Sequence, residues 1–206
     1  CISASLPHPA TPHLSLRVVA CVPQSGGKAT AWGSQDKMLN LGVTLYFVRH
    51  GETDWNRAGR YQGQRDIPIN GTGQAQAARN GRVLAKVLGG GATALDYVAS
   101  PLSRARETME IVRNELMLPP LGYRTDNRLC EVHYGHWEGR LREELPRTDP
   151  EGYAARLADP WNWQPVGGES YRMLSDRVAS WLTEVRRDAV VVAHGGVSRV
   201  LRGLVL

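Results

Sequence analysis

LYFVRHGETDWN, residues 45–56, decides the fold. The run begins with apolar and aromatic residues and stops at Arg49, His50 and Gly51. Together with Val43 and Thr44 it reads as VTLYFV, a β-branched and aromatic stretch that suits a buried strand. The strand then delivers two basic groups side by side at its carboxyl end. A glycine follows them, where the backbone must turn tightly or let a ligand approach.

Working outward, the same grammar recurs. NGTGQAQAARNGRVLAKVL, from Asn70 to Leu88, reads as a helix capped by Asn70 and broken by the following GGGA. ALDYVAS is a second short strand. PLSRARETMEIVRNEL places Pro101 in a first helical turn and Met109, Val112 and Leu116 on one face. GESYRMLSDRVASWLTEVRR is an amphipathic helix with Met173, Leu174, Val178, Trp181, Leu182 and Val185 as its stripe. DAVVVAHGG is a third strand, apolar through its middle, and a last helix is expected from near Val197. Strands apolar on both sides and alternating with helices imply a three-layer α/β/α sandwich around a mostly parallel sheet. Ligands of such sheets gather beyond the carboxyl ends of the strands.

Residues 1–40 differ: they are rich in Pro, Ser, Gly, Ala and Thr without sustained period, which predicts a disordered or non-native extension. The domain is then residues 41–206, with Met38 a natural start. The last residues, SRVLRGLVL, are expected to stop inside a helix and so to leave the domain truncated.

Net charge is +5, but the basic residues are scattered, and no zinc-finger or basic-region pattern points to nucleic acid. The excess suits an arginine-rich surface and attraction of anionic substrates. No apolar run is long enough to cross a membrane. Three cysteines at irregular spacing fit neither a metal site nor a disulfide framework, and a cytoplasmic setting follows. Cys130 is expected to be an inert, half-buried thiol.

His50 and His194 each follow a buried strand and each precede glycine. A positive neighbour such as Arg49 disfavours imidazolium, so His50 is expected to be neutral, and a neutral imidazole is a nucleophile. Arg104, in SPLSRARET, sits near a helix start after the second strand. Arginine forks and helix starts both hold tetrahedral oxyanions. Phosphoryl transfer demands mainly positioning and charge stabilisation, which arginines and histidines supply. No aspartate cluster or Walker loop calls for Mg²⁺, so neither metal nor cofactor is expected. A leaving alkoxide needs a proton, and RLCEVHYGHWEG offers Glu131 and Glu138. His133 and His136 read as surface or packing residues. The tryptophans read as packing residues too, with those of DPWNWQPVGGES able to line the mouth of a site.

FVRHGETDWN, SPLSRARET, LCEVHYGHWEG and VVAHGG, in that order, resemble the signature of the histidine phosphatase superfamily in its phosphoglycerate mutase-like branch. The resemblance runs from about Leu45 to the end. It implies a phosphohistidine nucleophile at His50, a phosphate pocket of Arg49, Arg104 and His194, and a proton donor at Glu131. It also implies accessory contacts from Asn56 and Gln62, with Gly63 and Gly195 lining the pocket. Glu52 and Glu138 sit in family-like motifs and read as structural, while Glu138 stays the alternative donor. Asn56 and Gln62 serve turn stabilisation equally well. The implied activity is a histidine acid-type phosphatase acting on a small phosphorylated metabolite. The span of about sixty residues between Glu131 and His194 is short for a mutase that must shield phosphohistidine from water, which favours hydrolysis. A cofactor-dependent phosphoglycerate mutase and a catalytically inactive phosphate-binding module are the alternatives. Oligomeric state is open, a homodimer included.

Overall fold

A computed structural model describes residues 15–20 and 42–205. Its centre is a five-stranded, wholly parallel sheet in the order β1-β2-β5-β3-β4. The strands are β1 (Ser15–Ala20), β2 (Thr44–Arg49), β3 (Asp96–Ala99), β4 (Arg124–Thr125) and β5 (Ala189–Ala193). The helices are α1 (Asp54–Arg57), α2 (Gly71–Leu88), α3 (Ser103–Glu115), α4 (Leu145–Thr148), α5 (Pro150–Ala158), α6 (Tyr171–Leu182) and α7 (Gly195–Val205).

Successive side chains of a strand face opposite sides, and each central strand feeds two cores. Leu45 and Phe47 of β2 and Val191 of β5 pack with Leu174, Val178 and Trp181 of α6 and Leu201 of α7. Val48, Val190 and Val192 pack on the other face with Leu84 of α2 and Met109 and Val112 of α3. This is the expected α/β/α layering. Each buried leucine or valine contributes about 1.5–3 kcal/mol by leaving water.

Local chemistry sets the helix ends. The Asn70 side chain accepts from Gly73 N–H at the start of α2, and Gly89, with φ at 54°, closes it in the left-handed conformation. Pro101 was expected in the first turn of α3, but that helix starts at Ser103. The reason is tertiary: the Asp66 carboxylate accepts the Ser103 N–H at 2.7 Å, and Leu102 is extended. α6 is shorter than the stretch expected. Ser170 caps it, and Met173, expected on its buried stripe, is 43% exposed while Tyr171 is buried. α7 begins at Gly195 rather than Val197.

Within the segment expected to lack regular structure, Ser15–Ala20 forms β1 on the outer edge of β2. The run carries adjacent β-branched residues, and an open strand edge offers unpaired backbone groups. The remaining expectations for residues 1–40, and Cys1 and Cys21 with them, lie outside the described residues.

Candidate active site

β2 and β5 are neighbours in register, Arg49 opposite Ala193, so their carboxyl ends lie together. His50 N–H extends the ladder by donating to Ala193 carbonyl at 3.0 Å. The His50 and His194 rings stand 5.1 Å apart, tilted by 57°. α3 leaves the end of β3 on the same rim and brings Arg104, which is 1% exposed. Thr108, one turn further along α3, accepts Gly51 N–H at 3.0 Å and donates to Arg104 carbonyl at 2.7 Å. That side chain ties the turn after β2 to the start of α3.

A cleft of about 220 Å³ opens over this rim, lined among others by Arg49, His50, Asn56, Gln62, Gly63, Arg104, Glu131 and Gly195. Every residue expected to form the site is there except His194. His194 is fully buried behind Arg104, and both its nitrogens are engaged. Arg104 Nε–H can only donate, so His194 Nδ1 accepts it at 3.3 Å. A neutral ring then carries its proton on Nε2 and donates it to Ser100 Oγ at 2.7 Å. Arg104 Nη1 and Nη2 donate to the carbonyls of Arg65 and Gly63, both at 2.7 Å. Those three bonds leave one N–H on each terminal nitrogen for a ligand, since guanidinium has five.

His50 Nδ1 lies 2.7 Å from Gly51 carbonyl. A carbonyl only accepts, so Nδ1 carries the proton and Nε2 holds the lone pair. Burial, then the charges of Arg104 and Arg49, push the imidazole well below its ordinary pKa, against the opposing pull of the Gly51 carbonyl. His194 is held low by burial first, then by Arg104, His50 and Arg49.

The two candidate donors part company in space. Both Glu131 carboxylate oxygens accept from Gly196 N–H, at 3.0 and 3.1 Å, and Oε1 also accepts Val132 N–H. A Cβ at Gly196 would collide with that Oε1, so the second glycine of AHGG makes room for the carboxylate. Arg177 of α6 braces the segment by donating to the carbonyls of Arg128, Cys130 and Glu131. Glu138 turns away from the cleft. Its Oε1 accepts from Gln64 N–H at 2.8 Å and Tyr134 N–H at 3.2 Å, and a Cβ at Gly63 (φ 54°) would strike it. Glu138 therefore shapes the loop whose carbonyls hold Arg104.

Asn56 serves both readings: it closes a capping box with Thr53 and lines the cleft. Gln62 is 7% exposed, and its Oε1 has no hydrogen-bond partner. Glu52 accepts from Asn70 Nδ2 at 3.0 Å, a bond that anchors the start of α2. His133 accepts Gly135 N–H and His136 bonds Asp149, both away from the nucleophile. Cys130 is a half-buried free thiol whose pKa burial raises.

The sequence reading missed Thr108, Gly196 and the outer lining: Arg60, Tyr61, Tyr134, Arg142, Arg156 and Arg199. Thr108 carried a signal, since it lies one helical turn beyond Arg104 and faces the same way. Burial lifts the pKa of both tyrosines, so their phenols stay neutral donors. Among the described residues no three His, Cys, Asp or Glu side chains gather as a metal-holding group, and no helix is long and apolar enough to cross a membrane.

The family model described as histidine phosphatase superfamily (branch 1) matches residues 45–206. The chain is 32% identical to a metal-independent phosphoserine phosphatase of Arabidopsis thaliana, covering 82% of this chain and 71% of that protein. It is 34% identical to a glucosyl-3-phosphoglycerate phosphatase of Mycolicibacterium vanbaalenii, covering 79% and 73%. Among solved structures, Bacillus stearothermophilus YhfR aligns with a TM-score of 0.65 at 33% identity, over 77% of each chain.

Proposed function

The chain belongs to the histidine phosphatase superfamily, branch 1, and from that membership we propose that it hydrolyses small phosphorylated metabolites through a phosphohistidine on His50. The observation that carries this reading is the single hydrogen bond from His50 Nδ1–H to Gly51 carbonyl. It leaves Nε2 as the basic atom of a ring that shares its cleft with Arg49 and Arg104.

In the first step His50 Nε2 forms a bond to phosphorus as the ester P–O bond breaks in line. The Arg49 guanidinium and the two remaining Arg104 N–H groups hold the equatorial oxygens, where charge is spread in the transition state. The departing alkoxide takes its proton from the Glu131 carboxyl. In the second step water adds to phosphorus, gives its proton to the Glu131 carboxylate, and the P–N bond breaks. Inorganic phosphate leaves, and neutral His50 and protonated Glu131 are restored. His194 acts through Arg104: the chain from Ser100 through His194 to Arg104 Nε fixes the plane of the guanidinium.

The test is phosphate release together with acid-labile labelling of the protein by a ³²P-phosphomonoester. His50→Ala should lower turnover by at least about 10⁴-fold, as loss of a nucleophile does, and abolish labelling. Retained turnover overturns the assignment. With 3-phosphoglycerate as substrate the same assay separates phosphate release, expected here, from the isomer a mutase would form.

A further inference from the structure

The peptide between Gly51 and Glu52 carries the carbonyl that accepts the His50 Nδ1 proton at 2.7 Å. The other end of the same peptide is the Glu52 N–H, which donates to Gln76 Oε1 at 2.9 Å. A backbone N–H can only donate, so the half-buried Gln76 amide presents its oxygen here. Gln76 lies on α2, one turn beyond Gly73, and does not line the cleft. It meets the nucleophile through this peptide.

The start of α2 is pressed against the turn that follows β2. Asn70 N–H donates to Glu52 carbonyl at 2.8 Å. A Cβ on Gly51 would collide with the Gly73 backbone, and one on Gly73 with the Glu52 backbone. The close approach therefore demands glycine at both positions. Glycine at position 51 also leaves the backbone free to swivel, because no side chain restricts it. Each adjoining peptide is tied to a side chain instead. Thr108 of α3 accepts the Gly51 N–H and holds the peptide before Gly51. Gln76 of α2 accepts the Glu52 N–H and holds the peptide after it.

A peptide is planar, so its carbonyl and its N–H turn together. By holding the N–H, Gln76 sets the direction of the carbonyl toward Nδ1. An N–H engaged by an acceptor also polarises the carbonyl of its own peptide, as in other chains of hydrogen bonds. The Gly51 carbonyl then accepts Nδ1–H more strongly, and the Nε2 lone pair gains basicity. With the carbonyl turned away, the proton can move to Nε2, and no lone pair faces phosphorus.

We propose that Gln76 is a positioning residue of the nucleophile: through the Gly51–Glu52 peptide it fixes the Nδ1–H tautomer and the aim of the His50 ring. The proposal rests on the phosphatase reading above, in which Nε2 attacks phosphorus, but the tautomer is read without turnover.

Long-range ¹H–¹⁵N spectra of the ¹⁵N-histidine-labelled protein show which ring nitrogen carries the proton, with His50→Ala identifying the resonances. The unaltered protein should show His50 as a single Nδ1–H tautomer. Gln76→Met keeps the length of the side chain and removes the acceptor. It should give a mixture of tautomers and lower kcat for p-nitrophenyl phosphate at least about tenfold, the scale of an orienting group behind a working histidine. Affinity for inorganic phosphate, measured by calorimetry, should stay within about twofold, because Arg49 and Arg104 hold the anion. Gln76→Glu keeps an acceptor oxygen and should restore the single tautomer, with kcat within about threefold of the unaltered protein. Gln76→Ala, which also lacks an acceptor, takes the place of Gln76→Met if that variant does not fold. An unmoved tautomer in the variant without an acceptor overturns the proposal. So does phosphate affinity that falls as far as turnover, or a loss in Gln76→Glu equal to that in Gln76→Met. Failure of the phosphatase reading shows separately, as absent phosphate release from p-nitrophenyl phosphate by the unaltered protein.

Discussion

The floor and the outer wall of the cleft are both built on arginine, yet they hold it differently. On the floor, Arg104 is 1% exposed, and backbone carbonyls and a histidine receive three of its N–H groups. On the wall, Arg142 and Arg156 rest on the face of one tyrosine, on short helical segments that join the acid loop to α6. A guanidinium fixed at three atoms offers an invariant geometry, as phosphoryl transfer demands. One stacked on a ring keeps its charge but can slide across that ring. The difference teaches that charge alone does not assign an arginine; the partners that hold it do.

The comparison breaks first at Arg104. Arg104→Lys keeps the charge but cannot serve both carbonyls and a planar phosphate. It should lower kcat/KM for every phosphomonoester by about 10²–10³-fold, the cost of losing a preorganised oxyanion donor. The effect should be the same for anionic and neutral leaving groups. A selective loss in Arg104→Lys would erase the distinction between floor and wall.

Gly196→Ala sharpens it next. The new methyl occupies the position of Glu131 Oε1 and displaces the carboxylate. General acid catalysis contributes about 10²–10⁴-fold, so alkyl phosphates should lose about 10²-fold in kcat. p-Nitrophenyl phosphate, whose leaving group needs no proton, should lose far less. Equal losses on the two substrates would show that Gly196 only supports the fold.

Much of the floor was legible because it lies where strands end. VTLYFV and VVVA announce buried parallel strands, and the residues that follow them must meet at the rim. Arg49, His50, Arg104, Glu131 and Gly195 are accordingly neighbours in space. The orientation of His194 was not legible, since it depends on Ser100 and Arg104, which are contributed by another strand and its helix. The residues alone left Glu131 and Glu138, both in one glycine-punctuated loop, open as donors, and the division came only from the family resemblance. Their side chains are directed by N–H groups far off in sequence, at Gly196 and Gln64. The wall was least legible of all. Tyr61 and Arg156 are 95 positions apart, and stacked arginines on two separate short helical segments follow no common period. The start of α3 shifted past Pro101 for the same kind of reason, a carboxylate from another loop at Asp66.

The smallest expected effect concerns pH, and it belongs to the floor alone. His50 and His194 are both held neutral, first by burial and then by the arginines beside them. Below the ordinary histidine pKa of about 6.5 the unfolded chain binds a proton at each position while the folded chain does not. Stability from these groups is therefore complete above that value and is lost as pH falls toward the depressed folded pKa values. Each histidine contributes a slope of up to about 1.4 kcal/mol per pH unit. Urea denaturation at a series of pH values from about 7.5 downward reads this slope. His194→Gln removes one of the two sites and keeps an amide able to reach Ser100, so the slope should fall by about half. Arg142→Gln should leave the slope as it was, because Arg142 is not among the groups that depress either ring. If the wall substitution flattened the pH dependence as much as His194→Gln, floor and wall would be one electrostatic unit, and the distinction drawn between them would fail.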